Sequence, residues 1–272
     1  MTVLDARPAW RSWDAGIQTH IRVVSALVRR EMRAHGGESR LGYLWALIEP
    51  GLRLIAYMVV FTYILRRHAP LGNSTALFLL TGMVPYFLFS KMAMYVSGAV
   101  GANRALLTLP PVTLPDVVAA RVVLESATYL FVAFIMFLAL YLGGIANAIP
   151  SEPLAVAESC ALAICFGAAV GAINMVIVSF FHNWMTIYGL ITFPLWFFSG
   201  IWFLPEQVPQ PYRDYLLYNP VMHIVMWFRT GFYREFRAAS MDVIYTISVT
   251  ALALAIGLAL MRVAQRRVME PT

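Results

Sequence analysis

The sequence predicts an all-α membrane protein: six transmembrane helices, an N-terminal amphipathic interfacial helix, and short re-entrant or periplasmic helices between spans five and six. Three observations carry that prediction. Hydrophobic residues make up 60% of the 272 positions and charged residues only 12%. A water-soluble domain carries about 25% charged residues, so much of this surface never faces water. Mean hydropathy is +0.71. The apolar residues also gather into six runs, each long enough for a bilayer core that takes about 20 residues per helix. A disordered chain, a collagen-like rod and a disulfide scaffold are excluded by the apolar content, the aperiodic glycines and the two cysteines.

Residues 1–42 read as a cytoplasmic tail and interfacial helix. They carry Arg7, Arg11, Arg22, Arg29, Arg30, Arg33 and Arg40 without an apolar run of signal-peptide length, so no cleavable leader is expected. Ile17, Ile21, Val24, Val28 and Met32 recur at about 100° per residue, with Arg22, Arg29 and Arg33 on another face. That pattern suits a helix lying in the membrane interface, and also a solvated helix packed on the protein. The six spans are placed at 43–65, 76–100, 114–142, 154–180, 184–203 and 243–261. Gly82 and Pro85 are expected to kink the second, because proline removes a helical donor. Between spans five and six, Pro205, Pro209, Pro211 and Pro220 punctuate an aromatic-rich stretch that reads as short helices and turns. Residues 43–262 are one six-helix membrane domain, 263–272 a cytoplasmic tail, and 1–272 a single unit without internal repeat. With both ends cytoplasmic, that side holds twelve arginines, the seven of the tail with Arg104, Arg121, Arg262, Arg266 and Arg267, and the other holds six, Arg66, Arg67, Arg213, Arg229, Arg234 and Arg237, which favours this orientation.

The basic residues are 19 Arg and a single lysine, Lys91, flanked by Ser90 and Met92. A P-loop needs Gly-Lys-[Ser/Thr], so no phosphate-cradling loop exists here, and any nucleotide-driven work relies on another chain. An intramembrane serine protease would need Gly-x-Ser-Gly with a histidine base. Ser199-Gly200 is present, but position 197 is Phe, and neither His182 nor His223 stands in a marked context. His-Glu-x-x-His is absent, Cys160 and Cys165 read as small core hydrophobes, and no catalytic or metal-binding residue and no cofactor is assigned to the chain. Glu49/Arg53 and Arg121/Glu125, each four apart, read as structural ion pairs near the cytoplasmic surface, with a functional intramembrane role as the alternative. Lys91 lies about 24 Å along span two, within reach of the cytoplasmic interface by snorkelling. The proline-punctuated connection 101–116 suits a rigid element transmitting force from a soluble partner and equally suits a plain loop.

Several blocks together resemble a known family. Arg30-Glu31-Met32-Arg33 leads into Arg40-Leu-Gly-Tyr-Leu-Trp-Ala-Leu-Ile-Glu-Pro50. Next come Phe78-Leu-Leu-Thr-Gly-Met-Val-Pro-Tyr-Phe87, then Asn103 through Arg121 to Glu125, then Ser199-Gly-Ile201 with Asn219-Pro220 and His223. In order and spacing these are similar to the permease subunits of ABC exporters for capsular polysaccharide and O-antigen, of the ABC type-2 permease class, with the capsule branch closest. The resemblance implies a multi-pass inner-membrane subunit that dimerises with a second copy and docks two copies of a cytoplasmic ABC ATPase. The lipid-linked polysaccharide is then the substrate, membrane lipid and periplasmic export components are further partners, and no nucleic acid is involved. It implies ATP and Mg in the partner only, and coupling roles for Arg29, Arg30, Glu31, Arg33, Asn103 and Arg104. His35-Gly36 and Met226 depart from the family pattern and receive no role.

Sugar rings stack their C–H faces on aromatic rings, so a polysaccharide path would use such residues. Tyr43, Trp45, Tyr57 and Phe61 in span one, and Phe193, Trp196 and Phe197 in span five, are candidates; an aromatic belt at the interfaces would use the same residue types. Rival readings are a permease for O-antigen, teichoic acid, lipid or drug, an intramembrane enzyme, and a proton-coupled carrier, which the scarcity of mid-membrane acids disfavours.

Overall fold

The computed structural model describes residues 9–36, 42–64, 69–107, 112–181 and 183–268. Ten α-helices follow in order: α1 Ala9–Gly36, α2 Gly42–Val59, α3 Thr75–Ser97, α4 Ala99–Asn103, α5 Leu114–Leu142, α6 Pro153–Phe180, α7 Trp184–Phe197, α8 Tyr212–Leu216, α9 Pro220–Thr230 and α10 Val243–Val268. No strand occurs among the described residues. Among the described residues four helices are long and apolar enough to cross a membrane by length and composition: α3, α5, α6 and α10 over Val243–Arg262.

Two of the expected spans differ. The first divides: α2 gives way to a π-helical turn, Val60–Ile64. The fifth was expected over 184–203, but α7 ends at Phe197. Pro194 lies inside α7 and its carbonyl accepts from the Phe198 N–H at the helix end, and Gly200 adopts φ +72, a left-handed conformation that turns the chain away from the helix.

The helix starts are written in the sequence. Ser74 Oγ accepts from the Leu77 N–H at α3, and Asn219 Oδ1 from the Val221 N–H at α9. At α5, Asp116 accepts from both the Thr113 N–H and its hydroxyl, with Pro115 in the first turn.

α3 is the central helix, packed by α5, α6 and α9 and buried along nearly its whole length. Its approach to α6 depends on Gly167 and Gly171, a small-x-x-x-small pair. A Cβ at Gly167 would lie 2.4 Å from the Phe89 carbonyl oxygen, and one at Gly171 would lie 2.7 Å from Val96 Cβ. α3 runs unbroken through Gly82 and Pro85, and Gly82 serves a close approach: a Cβ there would sit 2.9 Å from Ile201 Cα and 2.8 Å from Arg229 Nη2. A larger core joins α3, α5, α6 and α9, and a smaller one seats Leu27 of α1 against Val96, Leu114 and Val117.

Candidate coupling network and transport cleft

Charged residues are costly inside an apolar bundle unless partnered, so their placement shows where the fold commits its polar contacts. Near the N-terminal end of α5, Glu31 of α1 accepts from Arg121 Nε at 3.2 Å, and Arg121 Nη1 donates to the Tyr95 carbonyl of α3 at 3.3 Å. The expected i,i+4 partner of Arg121 was Glu125. With the basic residue first that spacing is the weaker order, and the guanidinium reaches across to α1. Asn103 closes the network, donating to Glu31 at 3.2 Å and to the Ala99 carbonyl while accepting from Arg30 at 3.1 Å. Glu31 and Asn103 are buried, whereas Arg29, Arg33 and Arg104 are exposed. The six residues expected at the coupling surface thus divide. Arg30, Glu31 and Asn103 bind the first helix to the α4 connection, while Arg29, Arg33 and Arg104 face outward. Sequence reading missed Arg121 as a member of this network.

Glu49 and Arg53 form the expected i,i+4 pair at 2.7 Å with both side chains about half exposed, a geometry that contributes little to stability.

A second feature is a cleft of about 400 Å³ between α2, α3 and α7. Of the seven aromatic path candidates, Tyr57, Phe193 and Trp196 line it, with the Tyr57 and Trp196 rings 5.2 Å apart. Phe61 instead stacks on Trp202 at 3.8 Å, and Phe197 packs edge-on against Trp196 at 4.7 Å. The side chains of Tyr43 and Trp45 lie outside the described residues, as does that of His35. The cleft also holds Tyr86, Tyr188 and Thr192, together with two cations, Arg53 and Lys91, and no carboxylate among its lining residues. Tyr188, Thr192 and Trp196 stand at i, i+4 and i+8, a helical face legible in the sequence but not used there. Lys91 is buried, lies 5.9 Å from the Tyr95 ring and contributes to the cleft wall. The Trp196 indole N–H is buried and has no acceptor among the described residues.

Among the described residues no protease-like site is assembled. Ser199 Oγ donates to the Leu195 carbonyl and accepts from Asn219 Nδ2. His223 is engaged at both ring nitrogens: Nδ1 accepts from the Asp242 N–H, which leaves Nε2 to donate to the Leu217 carbonyl. His182 lies outside the described residues. Met226 is fully buried in α9. Arg229, counted in sequence among the outer arginines, is also fully buried. It donates to the Gly200 and Ile201 carbonyls at 2.6 and 2.9 Å and lies 4.0 Å over the Phe78 ring. It therefore fastens the turn after α7 to α3 and α9. Among the described residues no cluster of His, Cys, Asp or Glu could hold a metal ion.

Comparison with known proteins gives this geometry a context. The family model described as ABC-2 type transporter matches residues 22–233. The chain is 33% identical over 248 residues to the polysialic acid transport protein KpsM of Escherichia coli, covering 91% of this chain and 95% of that one. It is 26% identical over 238 residues to the capsule polysaccharide export inner-membrane protein CtrC of Neisseria meningitidis serogroup A, covering 88% and 89%. The corresponding figures for the capsule polysaccharide export inner-membrane protein BexB of Haemophilus influenzae are 26% over 214 residues, 79% and 80%.

Proposed function

The chain belongs to the ABC-2 type transporter family, and from that premise we propose that it is the membrane-spanning subunit of an ATP-driven exporter of lipid-linked capsular polysaccharide across a bacterial inner membrane. The observation that carries the reading is the near full-length similarity to three proteins whose names all state polysaccharide or polysialic acid transport. Similarity to the O-antigen export permease RfbA of Myxococcus xanthus spans only 30% of the chain, which places the capsule branch first.

Six membrane crossings follow if α2 with its π-helical extension, and α7 with the turn after it, complete the four long helices. Cytoplasmic termini are supported by the arginine distribution. Once Arg121 and Arg229 are set aside as internal contacts, eleven arginines stand on the proposed cytoplasmic side against five. A closed two-fold dimer would bring two α2–α3–α7 clefts together around one path. Its aromatic faces, hydroxyls and cations offer many weak contacts to a sliding sugar chain. ATP and Mg belong to two copies of a separate ATPase, which would bear on exposed Arg33 and Arg104. The Arg30–Glu31–Asn103–Arg121 network passes the displacement into α5. Transport then follows from ATP stabilising one of two arrangements of the spans.

The purified subunit in detergent should show no ATP turnover by itself and should stimulate or be required for that of its ATPase. Turnover above background by this chain alone would refute the reading.

A further inference from the structure

α1 packs on the start of α5 through Leu27, and beside that contact the two helices leave a space. Between them runs a groove of about 760 Å³, floored by Ile21, Val24, Val28, Ala119 and Val123. Its one lining carboxylate is committed: Asp116 is buried, caps α5 through Thr113, and lies 2.7 Å from His20 Nδ1. Arg29 lines the same groove from an exposed position, and no hydrogen-bonding partner holds it among the described residues. The rim is therefore cationic, and Arg22 and Arg33 add to the positive charge of the same helix.

The floor does not stop at the groove. Val123 is 52% exposed, and Leu130 and Phe134, at i+7 and i+11 on the same face of α5, are 38% and 63% exposed. That track is about 16 Å long at 1.5 Å per residue, close to half of a hydrocarbon core of about 30 Å. On α1 itself Ile17 and Ile21 are 56% and 62% exposed beside the arginines, the arrangement of a helix set in the headgroup region.

A cationic rim joined to an apolar track one leaflet deep matches the chemistry of a single class of ligand. We infer that the α1–α5 groove binds one anionic phospholipid of the cytoplasmic leaflet, with its phosphate at Arg29 and an acyl chain along Val123, Leu130 and Phe134. Such a lipid pins α1 in the plane where Arg30 and Glu31 meet Asn103 and Arg121, so the coupling network sits on a lipid-dependent support. The inference rests on the cytoplasmic placement of α1 proposed above.

The test uses the purified full-length subunit without ATPase or polysaccharide, so that it stands apart from the export reading. Native mass spectrometry and thermal melting are followed on titration with phosphatidylglycerol, with phosphatidylcholine, and with inorganic phosphate. Phosphatidylglycerol should bind at one per chain and raise the melting temperature, and the other two should not. Arg29→Gln should weaken phosphatidylglycerol about tenfold, the loss of one charge-assisted contact. Val123→Trp, at an exposed position, should block the track and abolish retention while the melting temperature without lipid stays unchanged. Equal retention of the two lipids, full competition by inorganic phosphate, or wild-type binding by both variants would overturn the inference. Labelling of Ile17→Cys from each side of sealed vesicles reports the placement of α1 independently.

Discussion

Glu31 Oε1 lies 3.2 Å from Arg121 Nε, and this contact fastens the amphipathic helix to a membrane-crossing one. The two side chains are only 9% and 14% exposed, so removing either leaves the other charged in a poorly solvated place. Breaking a buried pair from one side costs about 3–5 kcal/mol, and this partly shielded pair belongs at the lower end. Arg121→Gln should release α1 without unfolding the bundle. Hydrogen exchange should rise across Ala9–Gly36 and stay slow in Thr75–Ser97, and Glu31→Gln combined with it should recover part of the loss.

Asn103 and Arg104 are neighbours with different expected roles, because the first is 3% exposed and bonded to α1 while the second faces outward. Asn103→Ala should lower the melting temperature, with about 1–3 kcal/mol lost as its buried partners go unsatisfied. Arg104→Ala should leave the melting temperature unchanged and weaken co-purification with the ATPase. Equal behaviour of the two variants in both assays would refute the division.

The turn after α7 is held by Arg229, whose guanidinium donates to two carbonyls within it, and by the absence of a side chain at Gly82. Gly82→Val should therefore be among the most damaging single substitutions, since backbone at Ile201 cannot yield as a flexible side chain would. Arg229→Lys should also destabilise, because an ammonium does not reproduce the planar fork. Thermal melting in detergent separates both from a surface control such as Arg234→Lys.

In the cleft, Tyr57 faces Trp196 beside Lys91 and Arg53. Tyr57→Ala should reduce polysaccharide export several-fold while sparing assembly with the ATPase and basal ATP turnover. Tyr57→Phe, which keeps the stacking face and loses one hydroxyl, should retain most of it. Export by the Ala variant at the wild-type level would assign Tyr57 to packing alone.

Much of the fold was legible because apolar run length is a local signal: α3, α5, α6 and α10 fall within a few residues of the expected ranges. The end of α7 was not, since the apolar run continues past Phe197 and the chain is turned within it by a left-handed Gly200. The site was legible in part. Arg30, Glu31 and Asn103 were named, but the meeting of Glu31 with Arg121 spans 90 residues, and sequence offers Glu125 as a nearer partner. Arg229 was counted only among the outer arginines because its ligands are main-chain carbonyls, which carry no residue identity to recognise.

The central claim is that this chain provides the path and another provides the energy. Its most direct test is reconstitution with the partner ABC ATPase in sealed vesicles, with lipid-linked capsular polysaccharide supplied on the ATPase side and detected on the other by a membrane-impermeant probe. The account expects polysaccharide to appear on the far side only when ATP and both proteins are present. Polysaccharide that stays where it was supplied while the ATPase turns over, or that crosses without the ATPase, would contradict it.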